Sequence, residues 1–159
     1  MIRTGIGFDS HRFETGRPLI VGGYLIPDET GLSGHSDADV LSHAITDAIL
    51  GAIADGDIGS HFPDTDPQWK GVDSKIFLAH ALTRLTEFGA RLVNIDATIM
   101  AEAPKMRPHI DAVRQSLSET LSLDISHISV KATTLEKMGA LGRKEGIAVM
   151  AIATVDQQL

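Results

Sequence analysis

At 159 residues with no cysteine, the chain is long enough for one domain with a real core, and it excludes disulfides, thiol catalysis and every cysteine-based zinc site. Its net charge of −7 argues against nucleic-acid binding, which wants clustered Lys and Arg, and no apolar run approaches the ~20 residues of a membrane span. The missing cysteines and the lack of a signal-peptide pattern favour a cytoplasmic setting, or an organellar stroma if a transit peptide has been removed.

Aromatic residues are only 4% of the chain, so the core must be built from Ile, Leu, Val and Ala. β-prone residues bounded by glycines predict strands from about Ile2 to Phe13 and from about Pro18 to Ile26. From about Asp37 to Ala54, apolar residues such as Val40, Leu41, Ala44, Ile45, Ala48 and Ile49 recur at helical spacing. Ser36 or Asp37 is the expected cap of that helix, and Gly56 sits where a left-handed residue would end it. The stretch Gly56 to Gly71, rich in Gly, Pro and Asp, reads as a long functional loop. A second helix is expected from about Ser74 to Phe88, ended by Gly89. Arg91 to Met100 reads as a strand, Pro104 or Pro108 opens a helix to about Leu121, and His127 to Thr133 and Gly146 to Val155 are β-prone. The order β-β-α-α-β-α-β-β, over residues 1–159, describes one α+β domain of mixed layers with helices packed on one face of a sheet.

Seven histidines are many for so short a chain. Asp9 and His11, spaced i, i+2 on the first strand, point to the same side of it. His43 lies in the first helix, with Asp39 and Asp47 one turn away on either side. Two histidines and one carboxylate are a ligand set of catalytic zinc, and a flanking aspartate would orient the His43 ring. Spacing alone leaves the bland reading open, since a lone helical His is more often an ordinary surface or core residue and Asp-x-His pairs arise by chance.

Longer motifs are more specific. They are Gly7-Phe8-Asp9-Ser10-His11-Arg12-Phe13, Gly34-His35-Ser36-Asp37-Ala38-Asp39-Val40 and the run from Gly56 to Pro67. Ala103-Pro104-Lys105-Met106, Val130-Lys131-Ala132-Thr133-Thr134 and the run from Gly142 to Ala148 follow in order. Together they resemble the 2-C-methyl-D-erythritol 2,4-cyclodiphosphate synthase family of the non-mevalonate isoprenoid pathway, over essentially the whole chain.

The resemblance implies conversion of a CDP-linked methylerythritol 2-phosphate to the cyclic diphosphate with release of CMP. It implies Zn2+ on Asp9, His11 and His43, and Mg2+ or Mn2+ on Glu136. Two divalent ions would also explain how an acidic chain binds a polyanion. It further implies a homotrimer with active sites at the subunit interfaces. Asp57, Gly59 and Phe62, Pro63, Asp64, Thr65 and Asp66 match positions that hold the methylerythritol phosphate, and His35 and Ser36 lie near the 2-phosphate. Ala101, Ala103, Pro104, Lys105 and Met106, with Lys131, Thr133 and Thr134, match the cytidine and phosphate region. His35, Thr134 and Glu136 are the implied catalytic residues. Arg143 matches an arginine beside an axial cavity proposed to take isoprenoid diphosphates, although Ala140 stands where the family often carries an aromatic residue.

Without the resemblance, Asp64 and Asp66 read as turn formers, Lys105 as a solvated helix start, and Thr133 and Thr134 as strand residues. Two other functions stay in view. A zinc hydrolase would follow from the ligand set alone, and a trimeric isoprenoid-diphosphate binding module from Arg143 and its apolar neighbours.

Overall fold

The computed structural model describes residues 1–158. Strand β1 (Ile2–Glu14) sets Gly5, Gly7, Asp9 and His11 on one side and Ile2, Ile6 and Phe8 on the other. It pairs antiparallel with β7 (Gly146–Gln157), which pairs antiparallel with β5 (Ala90–Met100). β5 runs parallel to β6 (Ile128–Thr133), and β4 (Gly31–Leu32) extends the far edge, giving the order β4-β1-β7-β5-β6.

Three helices lean on this sheet. Helix α1 (Val40–Ala52) lies across β1 and β7, α3 (Lys75–Glu87) against β5, and α4 (Ile110–Leu121) against β6. The core between them is aliphatic, with Leu41, Ile45, Ile49, Leu78, Ile95, Ile99, Val149 and Val155 buried, as the scarcity of aromatics requires. Two glycines set the spacing. A Cβ on Gly5 would lie 2.1 Å from the Ala48 carbonyl oxygen, and one on Gly7 1.9 Å from that of Ala44. Only glycine lets α1 settle this close to β1, on the strand face that also carries Asp9 and His11.

Several expectations are corrected. The run from Pro18 to Ile26 is not one strand but a hairpin outside the main sheet, β2 (Leu19–Val21) and β3 (Tyr24–Ile26). Gly22 and Gly23, at φ 61° and 74°, make its two-residue turn. Helix α1 begins at Val40, capped by Asp39 rather than by Ser36 or Asp37. Ala38 is left-handed at φ 59°, and the Ser36 and Asp37 side chains accept the N–H groups of Ala38 and Asp39, which bends the chain before the helix. The helix ends at Ala52, and Ala54 takes the first left-handed conformation after it, before Gly56.

The loop after α1 holds a short helix α2 (Ile58–His61) and a 3-10 turn at Pro67–Trp69. These turns, β4 and a short α5 (Gly139–Gly142) are additions to the expected order. Gly89, at φ 64°, does follow the end of α3, and Pro108 lies in the turn that leads into α4.

Candidate functional site

The i, i+2 pair on β1 and the helical histidine meet. His11 Nε2 lies 2.8 Å and His43 Nδ1 3.0 Å from Asp9 Oδ2, and the two ring nitrogens are 3.3 Å apart. These edges are close to those of a tetrahedron around zinc, about 3.3 Å for bonds of about 2.0 Å. Among the described residues this is the one group of three or more His, Asp or Glu side chains brought together in this way.

The far side of each ring decides which atom faces the centre. His11 Nδ1 lies 2.6 Å from the Ser33 carbonyl oxygen, an obligatory acceptor, so Nδ1 carries the proton and Nε2 presents its lone pair inward. His43 Nε2 lies 2.8 Å from Ser74 Oγ and 3.1 Å from Ser36 Oγ, and its Nδ1 faces Asp9. Two ring nitrogens and a carboxylate oxygen therefore converge, an arrangement that positive charge satisfies, whether a metal ion or a proton on a ring.

The charge states agree. Burial would raise the pKa of Asp9, but hydrogen bonds and charge from His11 and His43 overcome it and hold the carboxyl well below the usual range. Burial works against the His11 imidazolium, yet the Asp9 hydrogen bond and charge outweigh it and raise the ring pKa. The cluster attracts positive charge, and the donor set suits a metal ion.

The flanking aspartates do other work than expected. Asp39 is buried, caps α1 through Ser42 N–H, and accepts the Gly22 and Gly23 N–H groups of the hairpin. Asp47 accepts Ile58 N–H at 2.7 Å and so anchors α2. Neither orients His43; Ser74 and Ser36 do, and Ser74 donates in turn to Asp37.

A cavity of about 570 Å³ opens on the cluster. It brings together His11, His43, His35, Ser36, Gly59, Phe62, Pro63, Asp64 and Thr65, so two separated motifs meet over the third. His35 Nε2–H donates to the Asp66 carbonyl at 3.1 Å and ties the 34–36 segment to the long loop. Asp57 and Asp66 do not line this cavity. The Asp57 carboxylate caps α2 through Ser60, whose hydrogen bonds hold its pKa below the usual range, and Asp66 caps the 3-10 turn through Gln68 N–H.

Ala101, Pro104, Lys105, Met106, Thr133 and Thr134 line a separate cavity of about 250 Å³ and share no wall residue with the first. Ala103 lies beside Phe13 in another recess. Lys131 pairs with Asp96, and Arg143 pairs with Glu145 at 2.8 Å. Glu136 is exposed at φ 51°, and the next residue, Lys137, is also left-handed at φ 64°. The Glu102 carboxylate accepts the N–H groups of Leu135 and Lys137 at 3.1 and 2.9 Å and so clamps the backbone on either side of Glu136. Glu102, Trp69 and Phe77 escaped the sequence reading, because none carries a spacing signal; Ser74 read only as a helix start and Asp37 only as a helix cap.

Comparison with known proteins agrees with this geometry. Residues 2–156 match the model of the YgbB family. The chain is 58% identical to the 2-C-methyl-D-erythritol 2,4-cyclodiphosphate synthase of Vibrio campbellii, covering 99% of this chain and 100% of that protein. It is 54% identical to the enzyme of the same name from Solibacter usitatus, over 98% of each chain. Among solved structures, a 2C-methyl-D-erythritol-2,4-cyclodiphosphate synthase in its CDP-bound form superposes with a TM-score of 0.89 at 40% identity, over 97% of this chain and 100% of that one. The bifunctional IspDF protein of Campylobacter jejuni superposes with a TM-score of 0.95 at 46% identity; the chain spans 43% of its length. The chain therefore belongs to the YgbB family and is an enzyme of the 2-C-methyl-D-erythritol 2,4-cyclodiphosphate synthase kind.

Proposed function

We propose that the enzyme cyclises a CDP-linked methylerythritol 2-phosphate to the 2,4-cyclodiphosphate. An oxygen of the 2-phosphate attacks the β-phosphorus of the diphosphate, one P–O bond forms, the P–O bond to the α-phosphate breaks, and CMP leaves. The observation that carries the reading is the Asp9–His11–His43 cluster opening on a cavity walled by the motif residues of a cyclodiphosphate synthase.

The attacking phosphate is already anionic, so the barrier lies in bringing anion to anion and in folding a flexible chain into a ring. Orientation of that kind is worth roughly 7–11 kcal/mol at the upper end. Zn2+ on Asp9, His11 and His43, and Mg2+ or Mn2+ on Glu136, would supply the positive charge that a polyanion needs at a protein of net charge −7. Asp9, His11 and His43 would hold the zinc beside the cavity that the two histidines line. His35 and Ser36 line the wall beside it, where they meet the 2-phosphate. Gly59 leaves room for the methylerythritol, and Phe62, Trp69 and Phe77 keep water from the reacting phosphates. Thr134 and Lys105, in the second cavity, take the CDP end.

Two cavities with no shared wall suit a homotrimer in which the second cavity of one subunit completes the first of its neighbour. The sheet face turned away from α1 supports this, since Ile2, Ile6, Phe8, Met150 and Ile152 lie exposed there. Arg143, exposed and close to that end of the chain's β7, would meet an isoprenoid diphosphate between subunits.

The test is direct. Protein loaded with zinc and magnesium should release CMP and a cyclic product one water lighter than the hydrolysis product. His43→Ala should lose that activity and its zinc together. A metal-loaded assembly that yields only the linear phosphate would make the enzyme a hydrolase and end the cyclase reading.

A further inference from the structure

Helix α3 starts with an anomaly. Ser74 is its cap residue, at φ −65° and ψ −9°, yet its hydroxyl makes no capping hydrogen bond. A serine there ordinarily accepts an N–H from the first turn, a contact worth about 1 kcal/mol. Asp73 takes over that task by accepting Lys75 N–H at 2.9 Å. Ser74 itself is fully buried, and its hydroxyl lies between His43 Nε2, at 2.8 Å, and Asp37 Oδ1.

The proton inventory of the Asp37–Ser74 pair has one solution. The Asp37 carboxylate can only accept: Oδ1 takes Asp39 N–H, and Oδ2 takes Ser74 N–H at 3.0 Å. The single Ser74 hydroxyl proton therefore goes to Asp37 Oδ1, which leaves Ser74 Oγ as an acceptor. It accepts from His43 Nε2, so that nitrogen carries the proton and Nδ1 keeps its lone pair toward Asp9. Phe77, one turn into α3 and 5.6 Å from the His43 ring centroid to centroid, walls the ring in.

We propose that Asp37 and Ser74 form a relay that positions the metal centre, holding His43 in the tautomer and ring orientation that turn Nδ1 to the ion. The proposal rests on the metal-centre reading. It assigns the cost of a spent helix cap to function, and it makes the start of α3 part of the site. Ser36 Oγ, at 3.1 Å from the same nitrogen, is a longer second acceptor.

Zinc affinity, measured by competition with a chromogenic chelator, and isotope-edited NMR of the histidine ring nitrogens test the relay together. In the unaltered metal-free protein, at a pH where His43 is neutral, the ring should carry its proton on Nε2; a proton on Nδ1 overturns the proposal without any variant. Ser74→Ala should weaken zinc binding roughly 10- to 100-fold, the usual cost of losing such an outer partner, with Ser36 preserving the remainder. Asp37→Asn places an amide where three donors already point, and should both weaken zinc binding and mix the His43 tautomers. A role confined to packing would leave the tautomer unchanged. Zinc affinity within twofold of the unaltered protein in both variants, with His43 still protonated on Nε2, sinks the relay alone. Failure of the unaltered protein to take up zinc sinks the metal-centre reading, and the positioning role with it.

Discussion

Asp39 and Glu102 show how single carboxylates set the site from a distance. Asp39, buried beneath the hairpin turn, accepts the N–H groups of Gly22, Gly23 and Ser42 as well as the Ser42 hydroxyl. Asp39→Ala would strand several buried donors, and unfolding in urea should report a loss of about 3 kcal/mol, at the upper end for such groups. Glu102 receives both of its backbone N–H contacts on one oxygen, Oε1. Glu102→Gln keeps that oxygen and should retain activity. Glu102→Ala frees a turn with two consecutive left-handed residues, and the magnesium concentration needed for half-maximal activity should rise several-fold. Equal magnesium requirements in the two variants would refute the clamp.

Elements are brought to the site by close approach and by ties between loops. Gly7→Ala forces a Cβ against the Ala44 carbonyl of α1, one residue after His43. The helix must lift from β1, and both stability and the Asp9–His43 approach should suffer, stability by about 2–3 kcal/mol in chemical unfolding. Beyond the far end of α1, Asp55 accepts two hydrogen bonds from Arg84 of α3, at 2.6 and 3.1 Å. The Arg84 hydrogen bonds hold the Asp55 pKa below its ordinary value of 3.8, despite burial. A depressed acid contributes stability above its unfolded pKa and loses it as the pH falls through the folded value. Unfolding followed between pH 5 and pH 2 should therefore show an acid limb that Asp55→Asn flattens. An unchanged limb would mean that the Arg84 contact contributes nothing in solution.

At the scale of the whole molecule, the exposed stripe of Ile6, Phe8, Met150 and Ile152 crosses β1 and β7 on the face that no helix covers. Phe8→Asp, a change that leaves the buried face of β1 untouched, should convert the trimer of the proposed function to monomers in sedimentation and remove CMP release with it; a trimer that persists would place the interface elsewhere. The family motifs, the aliphatic core, α1 and α3, and the long strands at both ends were legible in the sequence, because contiguous identity and hydrophobic period are local properties. Asp9 and His11 were placed on one strand face by the same period-two rule. Their meeting with His43 was implied by the family resemblance but not legible in spacing, since it depends on Gly5 and Gly7 letting α1 sink onto β1, and no spacing in the chain encodes a distance between elements. The hairpin at Leu19–Ile26 was read as one strand because its break lies in backbone conformation at Gly22 and Gly23, whose partner, Asp39, is 17 and 16 residues away. Sequence by itself determined the family, the ligand candidates and part of the set of residues that line the cavities. Only the tertiary structure decided which nitrogen of each histidine faces the centre, because a tautomer is chosen by the acceptor behind the ring, and Ser33 and Ser74 reach those rings through the fold.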